Sequence, residues 1–359
     1  MNVLIAIDSW KGSLTSQEAN EAAREGVLTA WPDAEVLTLN VSDGGEGWLE
    51  AIENQAGGER ITADVHDPLM RPSQVDFLRK GDTAYIECAK VIGLGLLSPE
   101  ERDPLLATSY GLGELIVAAV KAGCNNIVVG LGGSATSDVG MGMLRAMEKS
   151  YTEMWEEERR RVAGTITYTI ATDVRNPLFG KEGAAQVFAP QKGATKEAVE
   201  VLDRSARLLA TRAAREMGID CSDRPGAGAA GGLGYAFMQF LDARCLSGSD
   251  LLLEMAGFHS LLGRADLVIT GEGAADRQTL MGKLPYSILE ATKRRHLPTW
   301  LIAGKVSDKD LLLDAGFSQA VCVHPDGLPL ATAMQREVAT AHIRTTLQQL
   351  CESFHPQNG

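Results

Sequence analysis

The stretch NVLIAIDSWKGSLTSQEANEAAREGVLTA, residues 2–30, reads as three pieces in a fixed order. Val3–Ile7 is a short unbroken apolar run, the pattern of a strand buried on both faces. Asp8-Ser9-Trp10-Lys11 interrupts it with polar groups. Thr15-Ser16-Gln17-Glu18 then fits a capping box, and the helix it opens is expected to run to about Ala30. Further apolar runs at Val36–Val41, Ile127–Leu131, Leu267–Thr270, Thr299–Ala303 and Ala320–Val323 read as buried strands. Helical patterns lie near Gly113–Ala122, Pro285–Arg295 and Ala331–Ser353. Strand–helix alternation of this kind implies an α/β fold with a parallel sheet covered on both faces. A Rossmann-like parallel-sheet domain is therefore expected to hold residues 1–60, 107–147 and 258–359.

The remainder reads differently. Val75–Leu78 and Thr83–Cys88 flank Arg79-Lys80-Gly81-Asp82, a hairpin signal. Farther on, one strand is expected at Ile166–Thr172 and a long helix near Lys196–Met217. Residues 61–106 and 148–257 are expected to form a second, inserted α/β domain.

Composition narrows the function classes. Glycine accounts for 38 of 359 residues, about 11%, against an average near 7%. These glycines are clustered, so they mark particular loops. A net charge of −13 repels nucleic acid and anionic membrane surfaces. An anionic substrate must then meet local positive charge from placed lysines, backbone N–H groups or bound metal. The six cysteines form no C-x-x-C pair, so neither a zinc ribbon nor a redox motif is indicated. The first residues lack the basic and cleavable features of a signal peptide, and no apolar run is long enough to span a bilayer. A reducing cytoplasmic location with free thiols is expected.

The polar motifs follow the strands. Asp8-Ser9-Trp10-Lys11 follows Val3–Ile7, and Ser42-Asp43-Gly44-Gly45-Glu46-Gly47 follows Val36–Val41. Gly132-Gly133-Ser134-Ala135-Thr136-Ser137-Asp138 follows Ile127–Leu131, and Gly271-Glu272-Gly273 follows Leu267–Thr270. Ligands of open α/β sheets bind outside the carboxyl ends of the strands. The competing explanation is turn and cap chemistry, which also favours Gly, Asp and Ser. Gly130–Ala135 fits a dinucleotide-type loop as well, which leaves an oxidoreductase open, whereas no G-x-x-x-x-G-K-[ST] occurs and a P-loop is excluded. Phosphoryl transfer needs cations on the phosphates, a carboxylate-held Mg²⁺ and a group that accepts the hydroxyl proton. Lys11, Lys192 and Lys283 stand among small residues, and Asp8, Asp43, Asp173, Glu272 and Asp276 stand beside such loops.

Together these residues resemble the type I glycerate kinases. Asp8–Lys11, Asp43–Gly47, Gly132–Thr136, Asp173-Val174-Arg175-Asn176-Pro177-Leu178, Pro190-Gln191-Lys192-Gly193, Pro225–Gly232 and Gly271–Gly273 stand in the order seen in that family, across nearly the whole chain. Asp276, Gln278 and Gly282-Lys283 continue the last motif. The resemblance implies a two-domain α/β kinase with its active-site cleft between the domains. ATP and Mg²⁺ are the implied cofactors and D-glycerate the small-molecule substrate, with 2-phosphoglycerate the implied product. A kinase of a related sugar acid, a glycerate 3-kinase and a non-catalytic member stay open, as does homo-oligomer formation.

The placement of these residues beside expected strand ends also distributes roles, with the backbone N–H groups of Gly132, Gly133 and Ser134 expected to meet phosphate at the positive end of a following helix. Lys11, Asp173, Asp8 and Asp276 are the implied catalytic residues. Gly132, Gly133, Ser134, Lys192, Gly228 and Lys283 are implied to bind ATP. Asp43, Glu46, Asn176 and Glu272 are implied to bind substrate, and Asp173 and Asp43 to hold metal. The chain departs from the family pattern at Ala274, where a basic residue is usual, and at Val139, where glycine is usual. The segment between Met143 and Ile166 is shortened to a charged stretch.

Overall fold

The computed structural model describes residues 1–10, 12–41, 47–153 and 166–354. Among them are eleven strands: β1 (Asn2–Ile7), β2 (Glu35–Thr38), β3 (Glu59–His66), β4 (Pro72–Lys80), β5 (Thr83–Glu87), β6 (Asn126–Gly130), β7 (Thr167–Ala171), β8 (Arg244–Leu246), β9 (Leu267–Ala275), β10 (Thr299–Val306) and β11 (Gln319–Cys322). They form two separate sheets. The chain divides accordingly into two compact units, Met1–Asp43 with Ser249–Gly359, and Gly44–Gly248.

The first unit holds a five-stranded sheet in the order β11-β10-β9-β1-β2. Every neighbouring pair in it is parallel. Val3, Ile5 and Ile7 pack in one core with Ala19, Ala23 and Val27 of the helix Ser16–Ala30 and with Ile343 and Leu347 of the helix Arg336–Ser353. Leu4 and Ala6 pack in the opposite core with Phe258, Leu284 and Ile288. Both faces of β1 are therefore covered, which is why its sequence is apolar without alternation. The expected capping box is present: Glu18 N–H donates to Thr15 Oγ1 at 3.2 Å, and Thr15 N–H donates to the Glu18 carboxylate at 2.9 Å.

The second unit holds a six-stranded sheet in the order β3-β4-β5-β6-β7-β8. β4 runs antiparallel to both of its neighbours, β3 and β5, and β5 to β8 run parallel. The expected hairpin closes with Lys80 opposite Thr83. Leu112, Leu115 and Ile116 of the helix Tyr110–Lys121 share a core with Phe77, Ile86, Ile127 and Val129.

Three segments fall in a different unit from the one expected. Residues 107–147 belong to the second unit, because β6 pairs with β5 and β7 and its preceding helix packs on that sheet. Residues 44–60 also join it, whereas 249–257 join the first unit, so the second unit is one continuous insertion. An apolar run marks a strand as buried, but it does not say which sheet buries it. No helix among the described residues is long and apolar enough to cross a membrane.

The two helices that cover β1 touch at a glycine. A Cβ on Gly26 would lie 2.4 Å from Arg344 O and 3.1 Å from Leu347 Cβ. Alanine normally favours a helix interior over glycine, but here it forces the helices apart. Gly26→Ala is expected to lower the unfolding free energy by about 1–3 kcal/mol, measured by chemical denaturation. An unchanged or raised midpoint would show that the helices separate without cost.

Candidate active site

The chemistry-bearing residues lie at the carboxyl ends of parallel strands in each unit. In the first unit, Ile7 of β1 is in register with Gly271 of β9, and Ala303 of β10 with Glu272. Asp8 continues directly from β1; its N–H donates to Gly271 O at 2.9 Å, and its Oδ1 accepts from Ser9 N–H at 2.7 Å. Asp8, just past the end of β1, thus lies level with Glu272 on the neighbouring β9, and both are buried. Lys11, Asp43 and Glu46 lie outside the described residues.

Glu272 is not in a loop, as its Gly-flanked sequence suggests. β9 continues through it to Ala275, which pairs with Val306. Its Oε1 accepts from Thr279 Oγ1 at 2.6 Å and its Oε2 from Lys283 Nζ at 2.8 Å. Burial pushes the Glu272 carboxyl above the usual range, and the Lys283 ammonium and the Thr279 hydroxyl counter it. Asp276 caps the short turn Arg277–Met281: its Oδ1 accepts from Gln278 N–H at 2.7 Å, and its own N–H donates to Thr279 Oγ1 at 3.0 Å. Thr279 therefore links Glu272 to the cap.

In the second unit the loop after β6 carries Gly132, Gly133 and Ser134. Sequence reasoning placed a helix N-terminus directly behind this loop, ready for phosphate. The helix begins only at Met141. Its N-terminal donors are occupied by Asp138, whose Oδ2 accepts from Gly142 N–H at 3.0 Å and whose Oδ1 accepts from Gly140 N–H at 3.1 Å. Ser109 adds its N–H and hydroxyl to the same Asp138 oxygen, at 2.9 and 2.8 Å. The protein's own carboxylate fills the anion position. This also removes the dinucleotide-type geometry, which needs the pyrophosphate on that helix end.

A different cation serves the loop. Lys192, at the end of the turn Pro190–Lys192, is only 3% exposed. Its ammonium donates to Ser134 Oγ at 3.1 Å and to Thr136 O at 2.7 Å. Among the described residues its third N–H has no acceptor and no carboxylate pairs with it. Thr136 Oγ1 is buried beside it with no hydrogen-bond partner. Burial pulls the Lys192 pKa down to about 8, against the weaker opposing influence of Cys88 and Asp138.

The glycines of residues 226–232 have a structural task. Gly228 N–H donates to Asn176 O at 2.9 Å, and a Cβ there would lie 2.4 Å from Pro177 O. Gly231, at φ +69°, would put a Cβ 2.0 Å from Thr136 O. This motif seats the backbones of two other loops against it. Asn176 Nδ2 donates to Glu182 O at 2.7 Å. Asp173 follows β7, and its Oδ1 accepts from Ser247 Oγ, just past β8, at 2.5 Å. Val139, where the family usually has glycine, takes a left-handed φ of +55°, a strained conformation for a β-branched residue.

Two participants escape sequence reasoning. Glu87, the last residue of β5, is 2% exposed. Its Oε1 accepts from Gly47 N–H at 3.2 Å and its Oε2 from Leu49 N–H at 2.9 Å. Ser247 is the other. Glu87 lies at a strand end with no glycine beside it, and Ser247 has only the single Gly248, so the clustered-glycine signal that marked the other loops is missing.

Lys192 generates a pH prediction. Its unfolded pKa is near 10.5 and its folded pKa about 8. Between those values the unfolded chain binds the extra proton, so this group's contribution to stability rises with pH. The unfolding free energy of the parent minus that of Lys192→Met is expected to grow by on the order of 3 kcal/mol from pH 8 to pH 10.5, at about 1.4 kcal/mol per pKa unit. Chemical denaturation across that range measures it. A flat difference would mean that the ammonium is not desolvated.

The comparisons with known proteins bear on the whole chain. The sequence profile of the glycerate kinase family matches residues 3–163 and 151–355. Glycerate kinase of Bacillus subtilis is 37% identical, covering 99% of this chain and 98% of that protein. Glycerate 2-kinase of Escherichia coli is 37% identical over 86% of each. A crystal structure from Salmonella typhimurium LT2, assigned provisionally as glycerate kinase 2, superposes with a TM-score of 0.76 at 35% identity and covers 98% of this chain and 97% of that one. With matches of this extent to its sequence, the chain belongs to the glycerate kinase family.

Proposed function

We propose that this protein phosphorylates D-glycerate with ATP, giving 2-phosphoglycerate and ADP in the cytoplasm. The observation that carries the phosphate chemistry is Lys192, a buried ammonium with an open donor beside the Gly132–Thr136 loop. A buried cation without a counter-ion is costly, and an anion at that position relieves the cost. The glycerate specificity draws its support from the family match and the named relatives.

Phosphoryl transfer is mostly positioning and charge stabilisation. The glycerate oxygen forms a bond to the γ-phosphorus, the bond from that phosphorus to the ADP oxygen breaks, and the hydroxyl proton passes to a carboxylate. We assign Lys192, Ser134 and the Gly132–Gly133 backbone to the ATP phosphates, with Lys283 and the Gly228 loop as further ATP contacts. Lys11 serves as a point charge on the transferring group. Asp173 accepts the hydroxyl proton or holds metal, and Asp8 and Asp276 act beside the reacting groups. Asp43, Glu46, Asn176 and Glu272 bind substrate.

Mg²⁺ is usually held by one or two carboxylates, with substrate phosphates and waters completing the octahedron. The described residues contain no group of three or more potential ligands. One carboxylate from the chain, Asp173, suffices for that mode of binding, with Asp43 as its second candidate. The ion would neutralise charge on the phosphates.

A coupled ADP-release assay with D-glycerate tests the reaction, and no turnover by well-folded protein would overturn it. Lys11→Ala and Asp173→Asn are each expected to lower kcat by about 10²–10³-fold or more while the thermal midpoint stays nearly constant. A variant that keeps near-parental kcat refutes its assigned role, and a parallel loss of stability marks the residue as structural.

A further inference from the structure

Arg102 stands in Glu100-Glu101-Arg102-Asp103, where spacing alone suggests an arginine neutralised by its neighbours. The structure gives each of those acids another task. Glu101 accepts from Ser98 N–H at 3.0 Å and from Arg71 Nη1 at 2.7 Å. Asp103 Oδ1 accepts from Leu105 N–H at 2.9 Å. The exposed Glu100 carboxylate bonds Ser98 and senses the Arg102 charge without pairing with it. The Arg102 side chain therefore makes no hydrogen bond or ion pair among the described residues, and its Nε is buried.

Arg102 is also fixed in place beside the Lys192 site. A Cβ on Gly193, which follows Lys192 and has φ +95°, would lie 2.2 Å from Arg102 O and 3.2 Å from Arg102 Cβ. The segment that leads to Arg102 is tied to the loop after β6. Leu94 N–H donates to Gly133 O at 2.7 Å, Ala135 N–H donates to Ile92 O at 2.8 Å, and Gly93 pairs with Ser134 as an isolated bridge. Leu97, Ala107 and Ala135 share a small buried core. Three polar groups around this loop are left without partners: Arg102 Nε, Thr136 Oγ1 and the third N–H of Lys192. A buried donor left unpaired is costly, and more so when it is charged. An anion supplies the missing acceptors and the missing counter-charge together.

We propose that Arg102 is a second phosphate-binding cation of this site, taking oxygens of the ATP triphosphate beside those held by Lys192. The proposal rests on the reading of the Lys192 site as the ATP phosphate site. The two cations are not equivalent. An ammonium acts as a point charge, whereas a guanidinium presents a rigid planar fork that matches two phosphate oxygens at once. A chain of net charge −13 needs such local positive charge to hold a triphosphate. Arg102 has acids on both sides and no glycine beside it, so it lies outside every motif that marks the site in the sequence.

Calorimetric titration of the full-length parent, Arg102→Lys, Arg102→Met and Lys192→Met with ATP and with inorganic tripolyphosphate tests this directly. Arg102→Met keeps an apolar stem without the charge, and it is expected to weaken both ligands about tenfold or more. Arg102→Lys keeps the charge without the fork, so it is expected to recover part of that loss. Tripolyphosphate carries no base or ribose, so weakened binding of it assigns the contact to phosphate. In steady-state assays KM for ATP is expected to rise by a similar factor in Arg102→Met, while KM for D-glycerate stays nearly unchanged. Parental affinity of Arg102→Met for both ligands overturns the proposal. If Lys192→Met is weakened at the same time, the reading of the Lys192 site stands; if Lys192→Met is also unchanged, that reading falls as well. A lowered thermal midpoint with ATP and D-glycerate weakened alike marks Arg102 as structural and also overturns the proposal. If Arg102→Met does not fold, Arg102→Lys decides: tripolyphosphate bound more weakly than by the parent supports the fork, and parental affinity overturns it.

Discussion

Parallel strands covered on both faces have no flank on which to carry polar chemistry. β1 gives Val3, Ile5 and Ile7 to one core and Leu4 and Ala6 to the other. β6 commits one face in the same way, with Ile127 and Val129 in the core of the second unit. Burying a charge without a partner costs several kcal/mol, so reactive groups are driven to the strand ends. There the backbone leaves the sheet, and hydrogen bonds can be supplied locally. Asp8, Glu87, Asp173 and Ser247 all stand at or beside such ends in their own unit, whereas Glu272, inside β9, is matched by Lys283 and Thr279.

Within the second unit the strand-end loops are stacked on one another at close range. Gly231 lies against Thr136 O, and Gly228 against Pro177 O, at distances that exclude any side chain. A run of glycines after a strand is easily taken for a phosphate cradle, because that task also calls for close backbone approach. In this protein much of that approach is between backbones of the same chain. Asp138 occupies the helix end that a phosphate would otherwise use. Positive charge for an anion therefore comes from Lys192, whose ammonium lies under the loop and whose donors are aligned by Ser134 and Thr136.

The segment 87–94 shows how a site depends on residues outside its motifs. It carries one buried carboxyl and a set of backbone bonds, and with them it ties the start of the helix Trp48–Ala56 to the loop after β6. Neighbouring parallel strands make this possible, since β5 and β6 end side by side, with Glu87 in register with Gly130. A group at the end of one strand is automatically close to the loop that leaves the next.

The sequence alone determined the local pieces. Val3–Ile7 had to be a strand covered on both faces, Thr15–Glu18 had to start a helix, and Arg79–Asp82 had to turn a hairpin, because each depends on neighbours within a few residues. The order of the motifs was enough to place the chain among the glycerate kinases. Only the tertiary structure decided that Ile127–Leu131 joins the second sheet, since burial leaves the same apolar signature whichever sheet provides it. Only the tertiary structure turned Glu272 from a loop acid into a strand residue paired with Lys283, and Asp138 into the ligand of a helix end. Those outcomes depend on contacts such as Glu87 with Gly47, 40 positions apart. Spacing along a chain carries no information about such a contact until the sheet has brought its strand ends together.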